Sequence, residues 1–409
     1  VRRAALHDEF EAFAQMDRAR REAIVKSAAR PLSAGAAVAG GEVRWIPYGP
    51  ADEAQCVEVA ADLGAAASEY ACIRRGAGVM DSTQRGTLEV RGTDRVAFLQ
   101  RMVTQDLSKM QAGEVRESFW LNRKGRIEAD LLMCDFGDCM LIDVDRFAAA
   151  RAAEQLQAFV FSEDVAVRDA GDAWARLSMH GPATLRLLEA AGHDARSLAT
   201  SLRAASGTIA RRPVRCARRD QTGEIGVEIF CAAGDLTAIW SALMESAQAM
   251  EPPVRPIGWN AFNTARIEAG TPLFMIDFGT QNLPHESGAL ARRVSFRKGC
   301  YLGQEVVARM ESLGRPKQVL RALRLQGEAI PVAGAQIFAP APAGGEIGAC
   351  IGAVTSSTPA PMLGSVGVAL GMVRSDAAAP GGEVVVAAEG AWTRATIQES
   401  LSFLGTPAP

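Results

Sequence analysis

GVMDSTQRGTLEVRGTDRVAFLQRMVTQDLSKM, residues 78–110, carries the switch of period on which the fold turns. TLEVRG (87–92) alternates apolar and polar side chains, the two-residue period of a half-buried strand. Beyond Gly92 the period lengthens. Val96, Leu99 and Val103 fall at helical spacing in DRVAFLQRMV, with Thr93 or Asp94 at the cap. The order then continues with strands ESFWLN (117–122) and RIEADLLMCDF (126–136) around a turn at Arg123-Lys124-Gly125. A third strand, CMLIDVD (139–145), and a helix, RFAAARAAEQLQAFV (146–160), complete the round.

A second round follows in the same order: strand WARLSMHGP (174–182), helix ATLRLLEAAG (183–192), strands VRCARRD (214–220) and EIGVEIFCA (224–232), and helix DLTAIWSALMESA (235–247). Two βαββ-type rounds predict an α+β body of two related halves rather than a doubly wound sheet. No residue identity between the rounds reveals the repeat.

Working outward, residues 7–28 read as an amphipathic helix and PLSAGAAVAGGE (31–42) as a loop or linker. An Ala-rich helix is expected from about Ala51 to Ala71. After Lys317, LRALRL, AQIFA, IGACIGAVTSS, SVGVALGMV, EVVVAA and TRATIQ are short alternating strands broken by Gly and Pro, the pattern of a small barrel or sandwich. The expected organisation is a helical leader and linker (1–44), an α+β body (45–316) and a C-terminal β module (317–409).

The 409 residues suit two or three domains. A formal charge of −3 gives no global basic field, so direct nucleic-acid binding is not expected. No apolar run is long enough to span a membrane, and the charged N-terminus does not read as a secretory signal. Eight cysteines scattered over a long chain without a CxxC read as reduced thiols, mostly packed in cores, in a cytoplasmic protein. The four histidines (7, 180, 193, 285) lack metal-ligand spacing, and His180 before Gly181-Pro182 reads as a turn residue. Phosphate-loop, dinucleotide and GxSxG signatures are absent.

Three segments carry candidate chemistry. In VSFRKGCYLGQEVVARMES (294–312), VSF reads as a strand end, Gly299 as a turn and Tyr301–Met310 as a helix. Cys300 then lies near a helix N-terminus beside Arg297 and Lys298, features that favour a thiolate. A buried structural Cys at a strand-turn-helix joint is the alternative. Asp106, after Thr104-Gln105, either faces a cleft or caps a turn, and the turn is the plainer reading. In QTGEIGVEIF (221–230), Glu224, Gly226, Glu228 and Phe230 share one face of a strand, which by default is solvated.

Taken together these segments resemble one family, the glycine-cleavage aminomethyltransferases, over roughly residues 45–400. EYACIRRGAGVMDSTQRGTLEVRG and FLQRMVTQDLSKM resemble the family's opening, with Asp106 at its acidic position. Asn122 in WLNRKGRIEADLL matches an Asn-x-x-Gly turn, TGEIGVEIF a TGExGxEI segment, and ARIEAG (265–270) an RLEAG segment. Two departures stand out. Phe262 and Asn263 replace an Arg-Asp pair, and KGCYLGQE (298–305) resembles the hallmark of the YgfZ branch.

The resemblance implies a ring-like, tetrahydrofolate-binding fold of two α+β halves with a C-terminal β-barrel. It puts Glu228 on the pterin edge, Asp106 near the N5/N10 region and Asn122 and Tyr301 among the cofactor contacts. Lys298, Arg297 or Arg309 would meet the anionic glutamate tail. Cys300, with Asp106 and Lys298, would carry the activity, which in that branch is tied to iron–sulfur client or assembly proteins, including tRNA-modifying enzymes. A one-carbon transferase acting on an amine donor and a non-catalytic scaffold are the competing expectations.

Overall fold

The structure is a computed structural model and describes residues 1–27, 41–50, 52–327, 329–341 and 347–405. In chain order, helix α1 (His7–Ser27) precedes strands β1 (Arg44–Tyr48) and β2 (Val57–Asp62), helix α2 (Ala66–Arg75) and strand β3 (Ala77–Asp81). The first round comprises β4 (Arg85–Arg91), α3 (Arg95–Met102), β5 (Val115–Leu121), β6 (Ile127–Asp135), β7 (Met140–Asp145), α4 (Arg146–Gln157) and β8 (Ala166–Asp169). The second comprises β9 (Trp174–His180), α5 (Thr184–Ala190), β10 (Ala204–Ile209), β11 (Arg212–Arg218), β12 (Gly226–Ala232), α6 (Leu236–Ala247) and β13 (Val254–Pro256). Helices α7 (Trp259–Glu268), α8 (Leu290–Arg293) and α9 (Gln304–Leu313) follow. The last strands are β14 (Gln318–Leu325), β15 (Gln336–Phe338), β16 (Cys350–Ala360), β17 (Val366–Arg374), β18 (Glu383–Ala388) and β19 (Ala391–Ile397).

The repeat that residue identity hides is plain in topology. One sheet has the order β5-β6-β7-β4-β8 and the other β10-β11-β12-β9-β3-β13. Without the inserted β3, each is the same strand order built from the same succession of elements. A glycine marks the equivalent joint in each round. Gly92 and Gly181 follow β4 and β9 with φ of +106° and +135°. A Cβ would lie 1.9 Å from Asp164 O at the first and 2.4 Å from Gly76 O at the second. Only glycine allows the strand to turn into its helix there.

The chain forms two compact units interleaved along the sequence: residues 1–87, 170–220 and 224–262 in one, and 88–169, 221–223 and 263–409 in the other. In the first, alternate residues of β9 and β12 (Leu177, Met179, Val227, Ile229) meet Leu187 and Leu188 of α5 and Ile239 and Leu243 of α6 in one core. The leader belongs to that core: Leu6, Phe10 and Ala14 are buried, and Phe10 packs on Trp240 with ring centroids 5.0 Å apart. In the second unit, Phe98, Leu99 and Met102 of α3 and Ala149, Ala152, Ala153 and Leu156 of α4 cover the five-stranded sheet. Asp145 caps α4 by accepting the Phe147 amide at 2.9 Å.

The six C-terminal strands close as a barrel, β14-β17-β16-β15-β18-β19, sealed by pairing of β19 with β14. Its interior holds Leu323, Ile337, Val354, Val384, Val386 and Ile397. The expected barrel-or-sandwich is therefore a barrel, and the α+β class stands.

Several local expectations fail. The Ala-rich helix expected from about Ala51 is instead β2 followed by α2, because Val57 and Val59 are buried and pair with Tyr48 and Ile46 of β1. VSF is not a strand, since Val294 ends α8 and the Ser295 amide bonds to Thr104 O. Helix α9 begins at Gln304 rather than Tyr301. His180 is no turn residue but the buried last residue of β9. Strands β1, β3, β8, β10 and β13 are absent from the sequence expectations, being short or cut by Gly and Pro. Most of the expected loop at 31–42 lies outside the described residues.

Candidate functional site

The KGCYLGQE segment lies in the second unit as a loop that runs into the start of α9, held by the side chains of Lys298 and Tyr301. Lys298 is buried. Its ammonium donates to three main-chain carbonyls, Gln100 O at 2.6 Å, Val103 O at 2.5 Å and Gln105 O at 3.0 Å. The Tyr301 ring is buried beside Phe119, Ile127, Phe278 and Val307, with the Lys298 ammonium 5.1 Å from its centroid. Burial pushes the Tyr301 hydroxyl up to about 12. Gly303 caps α9 at φ +80°, where a Cβ would lie 2.5 Å from Asn122 O. Cys300, by contrast, is exposed.

The same loop is tied to Asp106. Gln100 donates from Nε2 to Asp106 Oδ1 at 3.1 Å and accepts the Leu107 amide through Oε1 at 2.6 Å. The Ser108 amide donates to Asp106 Oδ1 at 2.9 Å. That amide first, then the Ser108 and Gln100 side chains and the charge of Lys298, hold the Asp106 carboxyl below its usual range. It is ionised at neutral pH, a weak base but a good stabiliser of nearby positive charge. Burial pushes the Lys298 ammonium down to about 8, against the opposing pull of Asp106.

Beside the loop opens a cleft of about 490 Å³ lined by Gln100, Arg101, Met102, Phe159, Gly299, Cys300, Tyr301 and Leu302; Asp106 is not part of its lining. Its walls are largely apolar, and Gln100, Arg101 and the Cys300 thiol are its polar members. Such a pocket offers hydrophobic burial and a nucleophile together.

Two other expected contacts are occupied locally. Asn122 accepts the Lys124 and Arg126 amides through Oδ1 at 2.9 and 3.1 Å and donates to Glu128 at 2.7 Å, so its amide builds the β5–β6 turn. Lys298 does not lie free at a rim: its three N–H groups already have three acceptors. Arg309 is exposed on α9.

Glu228 lies in the first unit. Its neighbours Val227 and Ile229 enter the core, so Glu228 and Phe230 face the other side of the sheet. That face is buried, not solvated. Glu228 accepts from Arg176 at 2.7 Å, and the Arg176 guanidinium lies 4.4 Å from the Phe230 ring centroid. Ser178 and His180 continue the polar row on β9. Burial drives His180 down to about 3, so it is neutral, and its Nε2 lies 3.1 Å from Ser178 Oγ. Glu224 precedes the strand and bonds Arg74 at 3.4 Å, apart from the row it was expected to join. Phe262 packs 5.0 Å from the His180 ring, and Asn263 accepts from Arg266 Nε at 2.9 Å. An aromatic contact thus stands where the resembling family carries a cation.

Sequence reasoning missed Gln100 and Arg176. An Arg inside the apolar run of β9 is a legible sign of a buried ion pair. Nothing local marks Gln100, whose partner lies six residues on.

The sequence pattern of the GCVT N-terminal domain matches residues 51–298, and that of the glycine cleavage T-protein C-terminal barrel domain matches residues 318–403. An aminomethyltransferase of Streptomyces avermitilis is 30% identical over 300 residues, 72% of this chain and 77% of its own length. One from Geobacillus kaustophilus is 28% identical over 277 residues, 66% and 74% of the two chains. The crystal structure of the glycine cleavage system aminomethyltransferase T from Bartonella henselae superposes with a TM-score of 0.75 at 23% identity, covering 88% of this chain and 94% of that one. At that identity the likeness speaks for the fold alone.

Proposed function

The chain belongs to the glycine cleavage T-protein family, and on that premise we propose that it is a tetrahydrofolate-binding protein of the YgfZ type that supports iron–sulfur enzymes. One observation carries this reading. In the KGCYLGQE loop, Lys298, Tyr301 and Gly303 are spent on holding the backbone, while Cys300 is presented at an open cleft. A segment built to display one thiol fits a protein whose thiol does the work. Phe262 and Asn263, in place of the Arg-Asp pair, speak against glycine cleavage.

A folate would call on carboxylates of this chain. Its pterin edge is rich in N–H donors and needs carboxylate acceptors. Glu228, buried and steadied by Arg176, is such an acceptor. Tetrahydrofolate, when bound, supplies a carrier for one-carbon units at N5 and N10. Asp106, ionised and fixed by Gln100 and Ser108, would stabilise positive charge developing there. Cys300, exposed on the surface of the second unit, would present its thiol to a client protein.

The test is complementation. In cells lacking this chain, methylthiolated tRNA nucleosides made by an iron–sulfur enzyme are measured by mass spectrometry. Wild type restores them, whereas Cys300→Ser does not, although that variant still binds tetrahydrofolate. Full rescue by Cys300→Ser would remove the thiol from the account. A one-carbon transferase is the second reading, favoured by Asp106 and by the names of the relatives. Formation of methylene-tetrahydrofolate from an aminomethyl-loaded carrier would establish it.

A further inference from the structure

We propose that Lys298 is a positioning residue whose ammonium, seated on the carbonyls of Gln100, Val103 and Gln105, locks the Cys300 loop and the Asp106 turn into one mechanical piece. The inference deepens the reading above by linking the two groups to which it assigns chemistry. It requires no folate to be tested.

The geometry is specific. The carbonyls of Gln100 and Val103 belong to the last turn and C-cap of α3, which carries the negative end of the helix dipole. An ammonium is the natural cap for such an end. Val103 O and Gln105 O belong to the backbone leading into Asp106. Gln100 supplies three bonds to one assembly: its carbonyl to Lys298, its Nε2 to Asp106 and its Oε1 to the Leu107 amide. On the other side, Cys300 is two residues from Lys298, and Tyr301 anchors the far end of the loop in the core. Gln105 is braced further by Ser118 Oγ, which accepts its amide at 2.8 Å, and by the Arg292 carbonyl, to which its side chain donates at 2.7 Å. A displacement of Asp106 therefore moves the seat of Lys298, and with it the strip of backbone that aims Cys300. Charge adds to the tie, because Asp106 and Lys298 feel each other's field.

A lysine suits this task better than an arginine. Its three donors diverge from one atom and match three converging carbonyls, whereas a guanidinium presents a planar fork. Methionine keeps the buried stem and removes every donor.

The experiment uses the full chain as wild type, Lys298→Met and Lys298→Arg. Amide hydrogen exchange is followed by mass spectrometry at pH 7 on peptides covering 103–108 and 298–304. The expected result for Lys298→Met is at least tenfold faster exchange in both segments together, with the barrel strands unchanged and part of the protection restored in Lys298→Arg. Unchanged exchange, or a change confined to one segment, overturns the proposal. A second measurement needs no variant of uncertain folding. The chain has five lysines, so carbon-13 labelling at Cε gives a tractable spectrum. The Lys298 signal should resist acylation of the native chain by a water-soluble succinimidyl ester under conditions that modify the exposed Lys109, Lys124 and Lys317. Acylation in step with them would show a solvated amine and overturn the lock. If the lock holds but the wild type takes up no tetrahydrofolate, the functional reading fails and this one stands.

Discussion

At the residue scale, Lys298 and Cys300 divide the labour of one short segment. Six of the eight cysteines are buried; Cys300 and Cys350 are exposed. Native alkylation with iodoacetamide should therefore label two positions, and labelling of a third would show a looser fold. Removing the Lys298 amine leaves three carbonyls without their ammonium, at a cost on the order of 2 kcal/mol. That cost depends on pH with a definite sign. The folded chain releases the Lys298 proton near pH 8, while an unfolded chain keeps it to about the ordinary 10.5. Between those values the unfolded state holds more protons, so raising the pH favours folding through this group. Guanidinium melts between pH 8 and 10 should show the stability gap between wild type and Lys298→Met shifting in favour of wild type. A pH-independent gap would show that burial does not depress Lys298. Asp106, Cys300 and Glu228 stood out in the sequence as residue types in suggestive places. What they touch did not, because Gln100 and Arg176 are brought to them by the fold.

At the element scale, the two joints that carry the site depend on small residues. Gly303 caps α9 in the left-handed region with Asn122 O where a Cβ would sit. A Cβ on Gly125, at φ +70°, would lie 2.9 Å from the Val306 side chain of α9. The β5–β6 turn and the start of α9 are thus fitted closely at both glycines. Gly303→Ala should cost more than about 1 kcal/mol, read from the melting midpoint, and should speed alkylation of Cys300. A neutral substitution would mean that the cap relaxes without cost. The helices and central strands of each round were legible because their periods are clean. Strand β2 was misread since Ala tolerates either structure, and its pairing with β1 settles the matter. The helix start at Gln304 was misjudged by one turn because Tyr301 enters the core from a loop.

At the scale of the whole molecule, the sequence suggested two related rounds that residue identity could not prove. The matching strand orders, and Gly92 and Gly181 at equivalent joints, now supply the proof. The barrel was legible from its alternating strands; its closure depends on the β14–β19 pairing, which no local pattern encodes. Family membership brings the expectation of folate. On the reading proposed above, folate binding and thiol chemistry are separable properties of one chain. The most direct test is calorimetric titration of wild type, Glu228→Ala and Cys300→Ser with tetrahydrofolate. The account predicts saturable binding by wild type, at least tenfold weaker binding by Glu228→Ala, and wild-type affinity in Cys300→Ser. Absence of binding by wild type, or its loss in Cys300→Ser with Glu228→Ala unaffected, would contradict it.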